Sequence, residues 1–194
     1  MARPREFDAD KALSQTMRVF WKQGYRASTF ADLMKAADVQ KQSLYGVFGD
    51  KRSLFLKSLE LYRNQVLSEL QRLLSEADSP FEGIARVMKY ASQPPGAKNI
   101  PPGCLMANTA LEIGQSDPDV AVEVKKLFRS TERLLTAAVK QGQERGEITT
   151  RFDGGAIAQS LANTINGIRI LQNTGASDRH LKTVVEMALA AIAA

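Results

Sequence analysis

The chain has 194 residues, 44% of them hydrophobic and 24% charged, which is the composition of a folded globular protein and excludes a disordered one. Its single cysteine, Cys104, excludes an internal disulfide, and its single histidine, His180, has no metal-ligand spacing around it. The apolar runs are too short to cross a membrane, and the first ten residues lack the apolar stretch of a secretion signal. We therefore expect a cytoplasmic protein with no membrane segment and no cofactor.

The net charge of +5 is concentrated in the first third of the chain. Residues 1–65 contain twelve basic and seven acidic side chains, whereas residues 66–194 contain fourteen of each. Such an asymmetry indicates an anionic partner for the first third. A solvated basic face without a partner explains the same charge equally well.

Helix signals dominate from the first residues onward, and the alternating pattern of β-strands is nearly absent. The first helix is predicted from Asp8 to Gly24. Its residues Leu13, Met17 and Phe20 fall on one apolar stripe, and Gly24 ends it.

The next two predicted helices are short and close together. Thr29 and Asp32 have the spacing of a capping box at the start of one. After a break at Asp38 and Val39, the other is predicted over residues 40–48. Two short helices separated by a tight turn in a basic module indicate a helix-turn-helix motif.

The rest of the chain is predicted to be helical as well. Asp50 precedes a long helix, and Ser79 and Asp117, each followed by proline, mark the starts of two others. Proline and glycine predict a loop over residues 94–103. The sequence thus predicts an all-α protein of about nine helices.

The second short helix carries the residues most suited to DNA. In a helix-turn-helix, the first turn of the second helix lies at the base edges of the major groove. The exposed residues predicted there are Gln40, Lys41, Gln42 and Ser43. Gln pairs with adenine and Lys reaches guanine, so we predict that these residues read bases.

Four further residues are predicted to contact DNA phosphates. Tyr45 offers a hydroxyl, Lys51 offers a charge, and Ser28 and Thr29 place backbone N–H groups at a helix start. The residues expected to anchor the short helix in the module core are Leu44, Val47 and Phe48. The alternative is an amphipathic helix packed inside a helical protein, whose polar face is ordinary solvent surface.

The run TFADLMKAADVQKQSLYGVFGDKRSLF, residues 29–55, resembles the DNA-binding signature of TetR-type (TetR/AcrR) transcriptional regulators. The resemblance is strong over about residues 8–65, and beyond them only the helix count and lengths agree. Asp38 replaces the usual turn glycine, Gln40 replaces a capping Ser or Thr, and Met34 replaces an alanine. The matching positions are Thr29, Asp32, Ala37, Val39, Leu44, Tyr45, Phe48, Lys51 and Leu54.

The resemblance implies a division of the chain into a DNA-binding domain over residues 1–50 and an effector-binding and dimerisation domain over residues 51–194. It also implies a homodimer formed through the last two helices and a pocket for a small-molecule effector. Small residues that allow close helix packing there are Gly155, Ala158, Ala162 and Gly167. Ordinary packing within one chain is the alternative, although a palindromic operator needs two readers.

Candidate effector-binding residues are apolar or amide side chains on helices of the second domain. They are Met88, Tyr90, Met106, Asn108, Phe128, Leu135, Asn163 and Asn166. Methionines adapt to varied ligands, and a buried amide needs a hydrogen-bonding partner. The alternative, an ordinary core position, is favoured for most of these residues, and the asparagines are better candidates than the methionines.

Cys104 is a further candidate because it follows Pro102 and Gly103 and opens a helix, where thiolates are favoured. The stretch GCLMANTALE resembles a TetR-type subgroup in which some members sense electrophiles or oxidants through a cysteine near this point. The alternative is an inert, buried thiol.

The sequence therefore predicts a ligand- or redox-responsive DNA-binding transcriptional regulator. Its partners would be double-stranded operator DNA and an effector, and the resemblance favours a repressor. The alternative is a helical small-molecule-binding protein without DNA activity. An enzyme is not expected, because no Gly-rich phosphate loop, metal spacing or catalytic constellation is present.

Overall fold

The computed structural model describes residues 8–93 and 101–194. Within these residues the only β-pairing is a single bridge between Ile148 and Ala193, and no strand forms. The nine helices described are α1 (Ala9–Gln23), α2 (Phe30–Ala37), α3 (Lys41–Phe48), α4 (Lys51–Ser75), α5 (Pro80–Ser92), α6 (Leu105–Glu112), α7 (Pro118–Glu144), α8 (Gly154–Asn173) and α9 (Asp178–Ala190). The all-α prediction is confirmed, and most of the predicted loop over residues 94–103 lies outside the described residues.

The helices begin where capping side chains were predicted. The Thr29 hydroxyl accepts a hydrogen bond from the Asp32 N–H, and the Asp32 carboxylate accepts one from the Thr29 N–H, so the capping box is complete. Such reciprocal bonds satisfy backbone donors that a helix start otherwise leaves unpaired. The other predicted caps, each accepting a first-turn N–H, are Asp50, Ser79 and Asp117. Asp8, which was predicted as the first residue of α1, is instead its cap.

Buried apolar residues form two clusters along the length of the molecule. The first joins α1, α2, α3 and the start of α4 to α6 and the first half of α7. Phe20 is fully buried within it, and its ring lies 4.9 Å from that of Phe55. The second cluster lies between the end of α4, α5, the second half of α7, α8 and α9. The core of the N-terminal helices is therefore continuous with α6.

The apolar face of α3 differs from the prediction at one position. Leu44 and Phe48 are buried, as expected, but Val47 is 45% exposed. Residues four apart lie almost in line along a helix, so Leu44 and Phe48 occupy the stripe that the module covers. Val47 lies about 100° around the helix from Phe48 and faces out. Its predicted role as an anchor is wrong.

Two long helices connect the two clusters. Helix α4 has 25 residues and α7 has 27, and each is on the order of 40 Å long. They pack against each other, and α8 packs along α7.

No helix in the described parts of the chain is both long and apolar enough to cross a bilayer.

Candidate functional site

The turn between α2 and α3 has the geometry of a helix-turn-helix. Asp38 ends α2 in the left-handed conformation, with φ 54° and ψ 46°, where the related pattern has glycine. Aspartate is among the few residues that adopt this conformation without a large penalty, so the turn keeps its shape. Gln40 stands at the N-cap of α3, where the related pattern has a Ser or Thr, and makes no side-chain capping bond.

The first turn of α3 presents polar side chains to solvent. Gln40, Lys41, Gln42 and Ser43 are all exposed. Lys41 Nζ lies 5.5 Å from the centroid of the Tyr45 ring, one turn further along the helix. The four residues predicted to read bases are therefore all accessible to solvent.

Tyr45 connects the two helices of the motif. Its half-buried ring stacks on Phe30, with centroids 4.6 Å apart and an interplanar angle of 24°. Because Phe30 is the first residue of α2, this contact fixes the start of α2 against α3. Tyr45 thus has a packing role in addition to its predicted contact with a phosphate.

The remaining predicted phosphate ligands are engaged within the chain. Ser28 is buried, and its hydroxyl donates to the Gly24 carbonyl at 2.6 Å, while the Thr29 N–H donates to Asp32. Lys51 Nζ lies 4.6 Å from the Tyr25 ring centroid and donates to a carbonyl of the α1–α2 turn. The expectation that the Thr29 N–H faces an incoming phosphate is therefore corrected.

The second candidate site is a cavity of about 290 Å³ enclosed by α4, α5, α7, α8 and the start of α6. Four of the predicted effector-binding residues line it, together with Tyr90, which was also nominated. These four are Cys104, Phe128, Asn163 and Asn166. A cavity of this size suits a small organic molecule.

Other nominated residues lie elsewhere. Met88 and Met106 are fully buried in the second and first core clusters, and Leu135 is buried in the second. Met88 misses the cavity because the residues of α5 that line it, Val87, Tyr90 and Ala91, occupy a neighbouring stripe. Asn108 accepts a hydrogen bond from Asn173 at 2.9 Å and also lies outside the lining.

Several polar residues of the cavity were not predicted. They are Tyr62, Thr131, Glu132, Gln159 and Arg169. The spacing of residues along one face of a helix would have identified two of them. Gln159 lies four residues before Asn163 and Arg169 lies three residues after Asn166, on the same face of α8.

Cys104 is the N-cap of α6 and is 7% exposed. Burial raises the pKa of the neighbouring Tyr62 hydroxyl well above 10.0, and the Cys104 thiol, which is hydrogen-bonded to it, raises that pKa further. The Tyr62 ring meets the Trp21 ring edge-on at 4.9 Å, and Trp21 Nε1 donates to the Pro102 carbonyl at 3.1 Å. The start of α6 is therefore tied to α1.

The other end of α6 holds the turn between α1 and α2. The Glu112 carboxylate accepts hydrogen bonds from the Tyr25 N–H at 2.8 Å and the Arg26 N–H at 2.7 Å. Gly24, with φ 81°, makes room, because a Cβ there would lie 2.7 Å from Glu112 Oε2. One short helix thus reaches from the cavity to the module that carries α3.

An ion pair forms a second link between the module and the body. Arg52, at the start of α4, binds Asp117 at the start of α7 through two hydrogen bonds of 2.8 Å, and binds Asp119 at 2.7 Å. The hydrogen-bonded Arg52 guanidinium lowers the pKa of Asp117 below its usual 3.8.

This lowered pKa predicts how the Asp117→Asn variant responds to pH. A carboxyl group with a depressed folded-state pKa stabilises the fold above its unfolded value and loses that contribution as pH falls through the folded value. Asparagine keeps an oxygen for the helix cap but loses the charge. We expect the Tm difference between wild type and variant to be largest at neutral pH and to shrink below pH 3.8. A Tm difference that stays constant from pH 7 to pH 3 would contradict this role.

Comparison with known proteins finds family matches for both parts of the chain. Residues 12–57 match the family model for bacterial regulatory proteins of the tetR family, and residues 81–188 match that for the tetracyclin repressor-like C-terminal domain. The HTH-type transcriptional repressor ComR of Escherichia coli (strain K12) is 32% identical over 176 residues, which are 90% of this chain and 84% of ComR.

Solved structures share the whole fold. A cysteine mutant of the TetR-family regulator CifR, complexed with 26-bp double-strand operator DNA, superimposes with a TM-score of 0.87 at 29% identity, covering 98% of this chain and all of that one. The reduced form of Escherichia coli NemR gives a TM-score of 0.85 at 20% identity over 95% of this chain and 96% of NemR, which shows the common fold.

The exposed α3 and these matches define a helix-turn-helix DNA-binding transcriptional regulator. The proteins matched are regulators and not enzymes. The chain belongs to the TetR family, as the two family models and the similarity to ComR show.

Proposed function

We propose that this protein is a repressor that binds a palindromic operator as a homodimer and is released by a small-molecule effector or by modification of Cys104. The observation that carries the proposal is the exposed first turn of α3 in a module that α6 connects to a cavity of the second domain. The operator complex of CifR, at 29% identity, supports DNA binding. The protein would act in the cytoplasm, without catalysis of its own.

A dimer would form through α8 and α9. Ile170 on α8 and Met187 on α9 are large apolar side chains that are 46% and 66% exposed. A Cβ placed on Gly167 would meet no neighbouring atom, so the chain itself leaves this part of α8 open to close approach. Two copies joined here would carry two α3 helices, and a palindromic site requires two readers about one DNA turn apart. In this arrangement residues 1–50 read DNA, and residues 51–194 bind the effector and dimerise.

The conformational change that releases the operator would be transmitted through α6. A group bound in the cavity or attached to Cys104 favours one position of the start of α6, and Glu112 carries that change to the α1–α2 turn. The two modules then no longer match the operator spacing. A ligand shifts this equilibrium only by its difference in affinity for the two states.

A fluorescence-anisotropy titration tests the proposal. We expect a labelled duplex from the DNA upstream of the protein's own gene to bind about 10³-fold more tightly than an unrelated duplex of equal length. We also expect its affinity to fall steeply with added salt. Equal binding to both duplexes would contradict an operator in this DNA, and no binding to either would favour a small-molecule-binding protein without DNA activity.

A further inference from the structure

Side chains of opposite charge line the two ends of the cavity along α8. Glu132 Oε1 accepts a hydrogen bond from Gln159 Nε2 at 3.0 Å, which fixes the carboxylate near the first half of α8. Arg169 lines the same cavity ten residues further along the helix, or about 15 Å away. The cavity therefore has a carboxylate at one end and a guanidinium at the other, too far apart along α8 to pair directly.

Arg169 is held in place by neutral groups. The buried Gln172 donates both amide hydrogens, to the Ala91 carbonyl at 3.1 Å and to the Gln93 carbonyl at 2.7 Å. Only its oxygen remains, and this accepts from Arg169 Nη1 at 3.3 Å. The guanidinium also lies 5.4 Å from the centroid of the Tyr90 ring.

Arg169 has capacity left for an anion. A guanidinium has five N–H donors in a planar fork that fits a carboxylate. Within residues 8–93 and 101–194, no carboxylate forms an ion pair with it, although all three arginines of α4 have one. Arg169 is thus an oriented cation at the wall of a cavity.

Cys104 lies at the same end of the cavity. A Cβ added to Gly103 would collide with the Asn173 side chain, and Asn173 also donates to Asn108 of α6. Asn173 follows Arg169 by one helical turn on α8. The nucleophilic thiol and the guanidinium therefore line neighbouring parts of one wall.

We propose that the cavity takes a small organic carboxylate that carries an electrophilic carbon, with its carboxylate bound by Arg169 and its reactive carbon attacked by Cys104 Sγ. The thiol proton passes to water, the sulfur lone pair forms the S–C bond, and the leaving group departs with the electrons of the broken bond. The inference rests on the proposed function, in which an occupant of this cavity releases DNA. Because Arg169 binds the carboxylate of the ligand, electrophiles that carry a carboxylate reach the Cys104 thiol in preference to neutral ones.

Alkylation by iodoacetate and iodoacetamide tests this pairing, because both reagents have the same reacting carbon and leaving group and differ in charge. Adduct formation is followed by intact-protein mass spectrometry, without DNA. We expect the ratio of the iodoacetate rate constant to the iodoacetamide rate constant to fall at least about tenfold in Arg169→Gln. Arg169→Lys should keep part of the preference, since it keeps the charge.

Three controls complete the experiment. Cys104→Ser should form no adduct, and Arg145→Gln, which removes an exposed arginine far from Cys104, should keep the wild-type ratio. If Arg169→Gln fails to fold, Gln172→Leu, which leaves the guanidinium without its orienting oxygen, should lower the ratio as well. Equal ratios in wild type and the folded variants, or no reaction of Cys104 with either reagent, would overturn the proposal. Operator binding is measured separately, so the outcome of the alkylation experiment does not decide whether the protein binds its operator.

Discussion

Lys41→Glu is expected to weaken operator binding about a hundredfold, which corresponds to about 2.7 kcal/mol. Lys41 is exposed in the first turn of α3, where a helix-turn-helix meets base edges. A lysine or arginine contact to guanine contributes about 1–3 kcal/mol of discrimination, and a carboxylate at this position adds repulsion from the phosphates. The change occurs twice in a dimer. The measurement is an anisotropy titration of the operator duplex at fixed salt.

A matched charge reversal separates this effect from general electrostatics. Lys140→Glu makes the same change in net charge on the exposed face of α7, in the half of that helix remote from α3. It should leave operator affinity within about twofold at physiological salt, where charges beyond roughly 8 Å are screened. Circular dichroism melting of both variants checks folding. Equal losses of affinity in the two variants would show that net charge, and not α3, governs binding.

Glu112→Gln is expected to reduce the response of the protein to modification of Cys104. In wild type, alkylation should lower operator affinity by about 5–150-fold, the range of ordinary coupling free energies. The glutamine oxygen can accept from only one of the two N–H groups that Glu112 now binds, and its own N–H₂ faces the other. We therefore expect the loss on alkylation to fall to about twofold or less.

The same titration, before and after alkylation, measures this coupling in both proteins. Glu144→Gln is a suitable control because Glu144 is exposed at the far end of α7 and should keep the full response. The Glu112 variant is also expected to melt at a lower temperature, since hydrogen bonds to a charged group contribute about 1.5–3 kcal/mol each. An unchanged response to alkylation in Glu112→Gln would exclude this route through α6.

Features with local causes were predictable from the sequence. Thr29 and Asp32 cap α2 because their partners lie three residues apart, and the sequence displays both. Asp38 stands at the position of the usual turn glycine, and aspartate tolerates a left-handed turn for reasons confined to its own side chain. The family signature over residues 29–55 then located the exposed turn of α3.

Features that depend on distant parts of the chain were not predictable. Val47 was misplaced because the covered stripe of α3 depends on how the module packs. Arg169 was missed because its orientation comes through Gln172 from carbonyls of α5, about 80 residues away in the chain. Glu112 was missed for the same reason, since it binds backbone N–H groups 86 and 87 residues earlier. Met88 and Met106 show that residue type alone does not separate cavity wall from core.

In vitro selection of DNA sequences shows whether α3 reads bases. Wild type, Gln42→Ala and Lys51→Ala would each select from the same randomised pool, with anisotropy titrations of the enriched duplexes. We expect Gln42→Ala to lose preference at one base pair in each half-site, by about 1–3 kcal/mol, and Lys51→Ala to weaken binding to all sequences alike. Identical base preferences for wild type and Gln42→Ala, with one uniform loss of affinity, would contradict base reading by α3.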